Sequence, residues 1–561
     1  MARKVPASFL MDFYEQGQEG RMRRNVLPKV VCIMLFCCVF AGCGNRDRSG
    51  SESKTTPQIP QAGGTYRVPL LHNPKGLDPA GAEDQYSAAV VYQLFDGLVK
   101  FSPELLIVPA LAENWQIDQQ GLVYRFFLRG DARFHNGRPV TPRDVVFSFN
   151  RLIRTDPAPS ILPHMLRIVG ARDYRNGKTD HLEGMEIIGD RELRIRLEEP
   201  YAPFLAALGM HQTRIVPEDE VLRKGSDFSR NPVGSGAFRF ISWDDNKSIR
   251  LGRFPEYYLG AALLDGIQYV IYPGGQIEDV LADFMGDRLD EMPVYGKIEE
   301  HLAKKEGIKW IHRPSLSLLF YGINCEHPLL KNPELRKVLS TAIDREQLVS
   351  TVYEGRLEPA KSLLPPGIVG YRPGEWILEG DTGAAQKDPR NVVSQALGEN
   401  PTLEVVSAIQ SPVAKSELDF VARAWKRLGI TLKTKFIPDW TEFEGYLKSP
   451  SMQIYRYAWF MDIPDPDDIL QVLFGSDSDV NYMHYQDPDV DQMLRSARIL
   501  IQPAERGAIY QKIERKVAQA SPVIPLAHLT IDQVYLSNVQ GIELNALGSH
   551  KASLHQVWLS H

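Results

Sequence analysis

The chain has 561 residues, 64 basic and 70 acidic side chains, and a formal net charge of −6. That length can enclose a large core and suggests two to four domains. The acidic balance argues against nucleic acid or anionic lipid as a partner, because both require a basic surface.

The first marked stretch is "VVCIMLFCCVFAGCGN", which holds four of the five cysteines. Its apolar run, Val30 to Ala41, is shorter than the roughly 20 residues of a membrane-spanning helix. Arg21, Arg23, Arg24 and Lys29 precede it, and small residues follow it, the pattern of a secretory signal peptide. Ala41, Gly42 and Cys43 resemble a bacterial lipobox, with Phe40 where leucine is usual. Cys43 is therefore expected to be acylated and to begin the mature chain. A zinc site built from Cys32, Cys37, Cys38 and Cys43 fails on context, since such sites use paired CxxC spacing in polar turns. Met22, followed by Arg23 and Arg24, is a more natural start than Met1, and residues 1–21 are expected to be disordered. Without residues 1–42 the chain keeps one cysteine, Cys325, and 58 basic against 67 acidic side chains, a net −9. Residues 43–62 read as a flexible tether spanning about 25 Å.

The folded region begins at "GGTYRVPLL", a strand entered through two glycines. "QYSAAVVYQLFDGLVKF" has apolar residues at helical spacing. "LVYRFFLR" alternates as a strand does, and Asn136-Gly137 in "FHNGRPV" is a hairpin signal. "TPRDVVFSFNRL" opens a helix with Thr141 as cap and Pro142 at its first position. "LRIRLEEP" is another strand, and "NPVGSGAFRFISW" is a glycine-punctuated turn entering a strand. "NPELRKVLSTAIDREQLVSTVYEG" is two helices, the second capped by Asp344. "KSELDFVARAWKRLGITLKTKFI" is a helix followed by a strand. The pattern is mixed α/β without internal repeats.

Few residues suggest chemistry. His135 in "FHNGRP" has no second ligand at metal spacing, so it reads as a turn residue, and the histidines show no HExxH pattern. "GSG" around Ser235 lacks phosphate-loop spacing and reads as a turn. "DIPDPDD" (Asp462, Asp465, Asp467, Asp468) is the densest acidic cluster and lacks the calcium-loop order DxDxDG. It is either a solvated loop, with Asp467 capping the next helix, or the place where a buried carboxylate meets a cation. Asp462, first after the apolar strand "MQIYRYAWFM", is the candidate for burial, and a ligand amine can supply the positive charge that a buried carboxylate requires. Arg456 lies six residues earlier, on the same face if the strand runs straight, about 20 Å away at 3.3 Å per residue. The two either bracket a ligand charged at both ends or form an ordinary surface pair. Trp440, Trp459, Tyr455 and Tyr457 either line a pocket or pack in the core.

Several stretches together, among them "FLRGDARFHNGRPVTPRDVVFSFNR", "NPVGSGAFRFISW", "LRKVLSTAIDREQLV" and "AWFMDIPDPDDILQVLF", resemble the family 5 extracellular solute-binding proteins, receptors of dipeptide, oligopeptide and nickel ABC importers. The resemblance runs from about Gly63 to the C-terminus. It implies a two-lobed α/β fold of the large peptide-binding type, with mixed sheets and two hinge strands. Lobe one would comprise residues 63–97, 228–317 and 525–561, with an extra domain inserted at 98–227. Lobe two would be 318–524. The resemblance also implies that Asp462 holds a peptide ammonium, since Trp459 and Asp462 keep that motif while Met461 and Ile463 depart from it. It places an arginine that meets the ligand carboxylate at Arg456.

The expected function is a receptor that closes on a short peptide and hands it to ABC permease subunits, with no cofactor, metal or catalysis. The expected form is an exported, lipid-anchored monomer facing the periplasm or cell exterior. A receptor for nickel chelate or another small solute on the same fold is the alternative. An enzyme or a surface sensor is a third class, and the absence of a nucleophile–base pair speaks against catalysis.

Overall fold

The computed structural model describes residues 59–294, 298–374, 388–548 and 553–560. The leader, Cys43 and the tether as far as residue 58 lie outside the described residues. Among the described residues, no helix is long and apolar enough to cross a membrane.

Lobe one is built on a four-stranded sheet in the order Thr65–Leu70, Gly266–Ile271, Ser248–Arg253, Phe238–Asp244. Thr65–Leu70 pairs in parallel with Gly266–Ile271, and the remaining neighbours are antiparallel. The Gln85–Leu94 helix packs on it and contributes Ala89, Val90, Val91 and Leu94 to the core. Asp84 starts that helix by accepting from the Ser87 N–H at 2.8 Å. The "GSG" turn presses on its other end. A Cβ at Gly234 would lie 1.9 Å from the Leu94 carbonyl oxygen, so the backbone can approach this closely only without a side chain.

The inserted domain has a second four-stranded sheet, ordered Ala112–Asp118, Val123–Leu128, Glu192–Arg196, Met185–Ile188. The Pro142–Arg154 helix covers it, with Thr141 and Asp144 forming a capping box. His135 ties this domain to lobe one. Its ring donates to the Gly236 carbonyl at 3.0 Å and accepts from the Gly234 N–H at 3.1 Å. Burial lowers the imidazole pKa to about 4, which fits a neutral structural ring.

Lobe two is a six-stranded sheet ordered Glu358–Pro359, Val523–His528, Ser317–Ile323, Ile454–Phe460, Thr402–Ser407, Thr431–Phe436. Every residue of the central Ser317–Ile323 strand is buried, because one core lies on each face of the sheet. Such strands carry apolar residues on both faces. The Pro412–Lys426 helix, begun by Ser411, belongs to one of these cores.

Two strands run from lobe to lobe. Ile308–Pro314 continues into Ser317–Ile323, and Val523–His528 continues into Thr530–Leu536. At the crossing the Ser315 N–H donates to the Leu529 carbonyl at 2.8 Å. Val523–His528 pairs within the six-stranded sheet, with Ser317–Ile323 on one side and Glu358–Pro359 on the other. The C-terminal segment touches both lobes. Ala546 and Leu547 join a lobe-two core, whereas Leu554 and Val557 join the core of lobe one.

Candidate ligand site at the lobe boundary

The Ile454–Phe460 strand sorts its side chains by period-2 alternation. Tyr455, Tyr457 and Trp459 enter one lobe-two core, and Ala458 and Phe460 face the other. Arg456 shares the second face and meets Glu417 of the Pro412–Lys426 helix there. Its Nε and Nη2 donate to the Glu417 carboxylate at 2.9–3.1 Å, and both side chains are almost fully buried. Tyr321 donates to the same carboxylate at 2.7 Å, and Tyr353 donates as well. Arg456, expected to meet a ligand carboxylate, sits here in a buried network, because a carboxylate as deep as Glu417 requires a paired, hydrogen-bonded cation. The strand ends at Phe460, so it does not run straight through to Asp462.

On the opposite face Trp440, at the start of its helix, stacks near Phe443 and Tyr457 with centroids 5.5 and 5.7 Å apart. Tyr457 packs near Phe320 and Tyr455. The Nε1 donors of Trp440 and Trp459 and the Tyr455 hydroxyl are buried without a hydrogen-bond partner among the described residues. Phe101 and Leu105 from the inserted domain pack on this lobe-two core.

The acidic loop follows the strand. Arg506 takes Asp465 through two bonds of 2.7 and 2.8 Å, and Arg498 takes Asp467 through bonds of 2.8 and 3.1 Å. These pairs compensate two buried acids. Asp468 accepts the Asp462 N–H at 2.8 Å. The loop is also a contact between lobes. Ile463 is buried in the core of the inserted domain, and the Ala202 N–H donates to the Arg498 carbonyl at 2.7 Å.

Asp462 is half-buried beside that contact. Its charge bears on Glu83 of lobe one, whose carboxyl pKa is raised by the crowding of protein around it and further by Asp462. Glu83 is exposed to solvent. It accepts from the Ser160 N–H at 3.1 Å and from Gln212 Nε2 at 3.3 Å. His211 donates to the Ala82 carbonyl at 2.7 Å and so holds the Gln212 segment against Glu83. Reading the sequence identified neither Glu83 nor Gln212. No spacing links Glu83 to an acid near the other end of the chain. Among the described residues no three metal-ligating side chains gather.

A two-lobed α/β body crossed by two strands is the architecture of a receptor that encloses a solute. The chain belongs to the bacterial extracellular solute-binding proteins, family 5, whose middle-region profile matches residues 107–481. It is 26% identical over 517 residues to the probable di/tripeptide-binding protein 5 of Pseudomonas aeruginosa, covering 87% of this chain and 95% of that one. It is 27% identical to heme-binding protein A of Haemophilus influenzae, over 87% of this chain and 92% of the other. Its fold is that of MppA, a periplasmic murein tripeptide-binding protein, in the unliganded open form, with a TM-score of 0.78, 21% identity, and 89% and 98% of the two chains covered.

Proposed function

We propose that the protein is the receptor of an ABC importer that captures short peptides between its lobes and delivers them to a membrane permease. The carrying observation is the placement of Asp462. It follows the apolar strand, is half-buried, and stands next to Ile463, which enters the core of the inserted domain across the lobe boundary. A peptide ammonium there gains charge-assisted hydrogen bonds in a site that closure dries. Rotation about the two crossing strands brings the lobes together, and ligand binding shifts the population toward the closed form that a permease recognises. Sheet edges can pair with the peptide backbone whatever its side chains, so selectivity along the ligand is broad. Trp440, Tyr457 and Trp459 supply the apolar wall beside Asp462. Arg456 has no part in binding, so the ligand carboxylate is met by another group or by water. The protein acts as a receptor and not as a catalyst. It works as an exported monomer held to a membrane by acylated Cys43.

Titration calorimetry of the mature protein tests the reading. Di- to pentapeptides are expected to bind, and Asp462→Asn to weaken them by about 2 kcal/mol, roughly 30-fold. Binding of nickel chelates or heme with no peptide binding overturns it, as does an Asp462→Asn variant that binds peptide as tightly as the parent.

A further inference from the structure

We infer that a cavity inside lobe one, beside Glu291, is a second ligand site and takes the cation of a small primary amine. The cavity belongs to one lobe, so the inference does not rest on the peptide-receptor reading.

The cavity measures about 90 Å³ and is bounded by three parts of lobe one. The Thr65–Leu70 and Gly266–Ile271 strands bring Leu70 and Tyr269, the Gln85–Leu94 helix brings Ala89, and the C-terminal segment brings Leu554. Its buried polar lining is Glu291 and Gln533, which come from two paired strands and are 7% and 3% exposed. An apolar cavity of about 150 Å³ takes the six carbons of benzene, so roughly three or four non-hydrogen atoms fit here.

The charge of Glu291 has no answer within the fold. Each of its oxygens accepts one neutral hydrogen bond, from Tyr66 Oη at 2.5 Å and from Gln533 Nε2 at 3.1 Å. A carboxylate has about four acceptor positions, so half of that capacity is unused. Arg67 is committed elsewhere, to both oxygens of Asp290 at 2.6 and 2.9 Å and to the Asp287 carbonyl at 2.6 Å. The titratable groups that bear on Glu291 are Tyr66, Tyr269, Tyr535 and Asp290, and none is a cation. Among the described residues no lysine, arginine or histidine forms an ion pair with it.

A buried carboxyl in that position keeps a proton or meets a cation. A primary ammonium exchanges for the proton, which leaves to solvent. It brings three N–H donors to the spare lone pairs, and its short alkyl part lies against Leu70, Ala89 and Leu554. Anions are repelled by Glu291 and Asp290. An alcohol brings one donor and no charge, and a quaternary ammonium brings no donor.

The test is a thermal-shift titration of the mature protein with ethylammonium, ethanol and tetramethylammonium at constant ionic strength, at pH 6 and pH 8. At pH 8 ethylammonium is expected to bind at least about tenfold tighter than the other two. Its affinity is expected to be no tighter than about 0.5 mM, the ceiling for three non-hydrogen atoms. At pH 6 it is expected to bind about tenfold more weakly, because the Glu291 carboxyl, ionising near 7, must first release its proton. Glu291→Gln is expected to bring ethylammonium down to the level of ethanol. A lysine side chain ends in the same group, so acetyl-lysine methylamide is added as a fourth ligand. It is expected to bind at least about tenfold more weakly than ethylammonium, because the cavity has no room for its backbone. Equal binding of the two overturns the assignment to a free amine. Ethylammonium that binds no tighter than ethanol in the parent at pH 8 overturns the site, as does equal affinity at the two pH values. Affinity retained in Glu291→Gln moves the cation to another acid, such as Glu543 on the exposed rim, and likewise overturns it. The parent series at the two pH values decides without reference to how well the variant folds.

Discussion

Each lobe buries a glutamate, and the two are accommodated differently. In lobe two, Glu417 lies against the Arg456 guanidinium, with Tyr321 and Tyr353 donating to it. In lobe one, Glu291 beside the crossing strand Thr530–Leu536 accepts from Tyr66 Oη at 2.5 Å and Gln533 Nε2 at 3.1 Å. Asp290, next to Glu291, takes the nearby Arg67 for itself. A buried carboxylate given a guanidinium becomes one half of an ion pair. Given neutral donors and a neighbouring negative charge, it tends to keep its proton. Burial, reinforced by Asp290, lifts the Glu291 carboxyl to about 7.

The largest effect is expected where the charge is paired. Arg456→Ala leaves Glu417 buried without its guanidinium, and chemical denaturation should report a loss of about 3–5 kcal/mol. The double variant Arg456→Met/Glu417→Leu should recover most of that loss, because no stranded charge remains. A single variant within 1 kcal/mol of the parent removes Arg456 from the core and returns it to the list of ligand contacts.

The protonated site should show itself through pH. Glu291 ordinarily ionises near 4.5 and here near 7. Between those values the folded protein holds a proton that the unfolded chain has lost. Its contribution is therefore complete below 4.5 and is lost as pH rises through 7, by about 3 kcal/mol at 1.36 kcal/mol per pH unit. Glu291→Gln should abolish this slope. Melting curves of parent and variant from pH 5 to 8 are read as a difference, which cancels buried histidines such as His528, lowered to about 4 by burial. Parallel curves would mean that Glu291 does not titrate there.

The local features of both lobes were legible in the sequence. Thr141 with Asp144 marked the Pro142–Arg154 helix, and Asp344 marked the Arg345–Val352 helix, because capping is decided within four residues. The hairpin turn at Asn136-Gly137 was equally local, and the Gly137 N–H donates to the Phe134 carbonyl at 2.8 Å. The pairings that decide the site were not legible. Arg456 finds Glu417 through the stacking of a helix on a sheet, and Ile463 finds the core of the inserted domain through the meeting of two lobes. Neither leaves a period or a spacing in the chain. The continuation of Val523–His528 past residue 524 was hidden by Pro525, which cannot donate to a ladder. The pairing tolerates it by shifting register between Leu319 and Phe320.

The smallest effect comes from the same chemistry moved to the surface. Arg194 and Glu186 face each other at 2.8 Å on neighbouring strands of the inserted domain, with side chains 37% and 59% exposed. Their distance matches that of Arg456 and Glu417, but water solvates both charges before and after folding. Arg194→Ala should therefore cost less than about 1 kcal/mol, and added salt should shrink that further. Measured beside Arg456→Ala, it separates what a guanidinium–carboxylate contact contributes from what its burial demands. Equal losses at the two sites would mean that the contact itself, and not the stranded charge, sets the cost in lobe two.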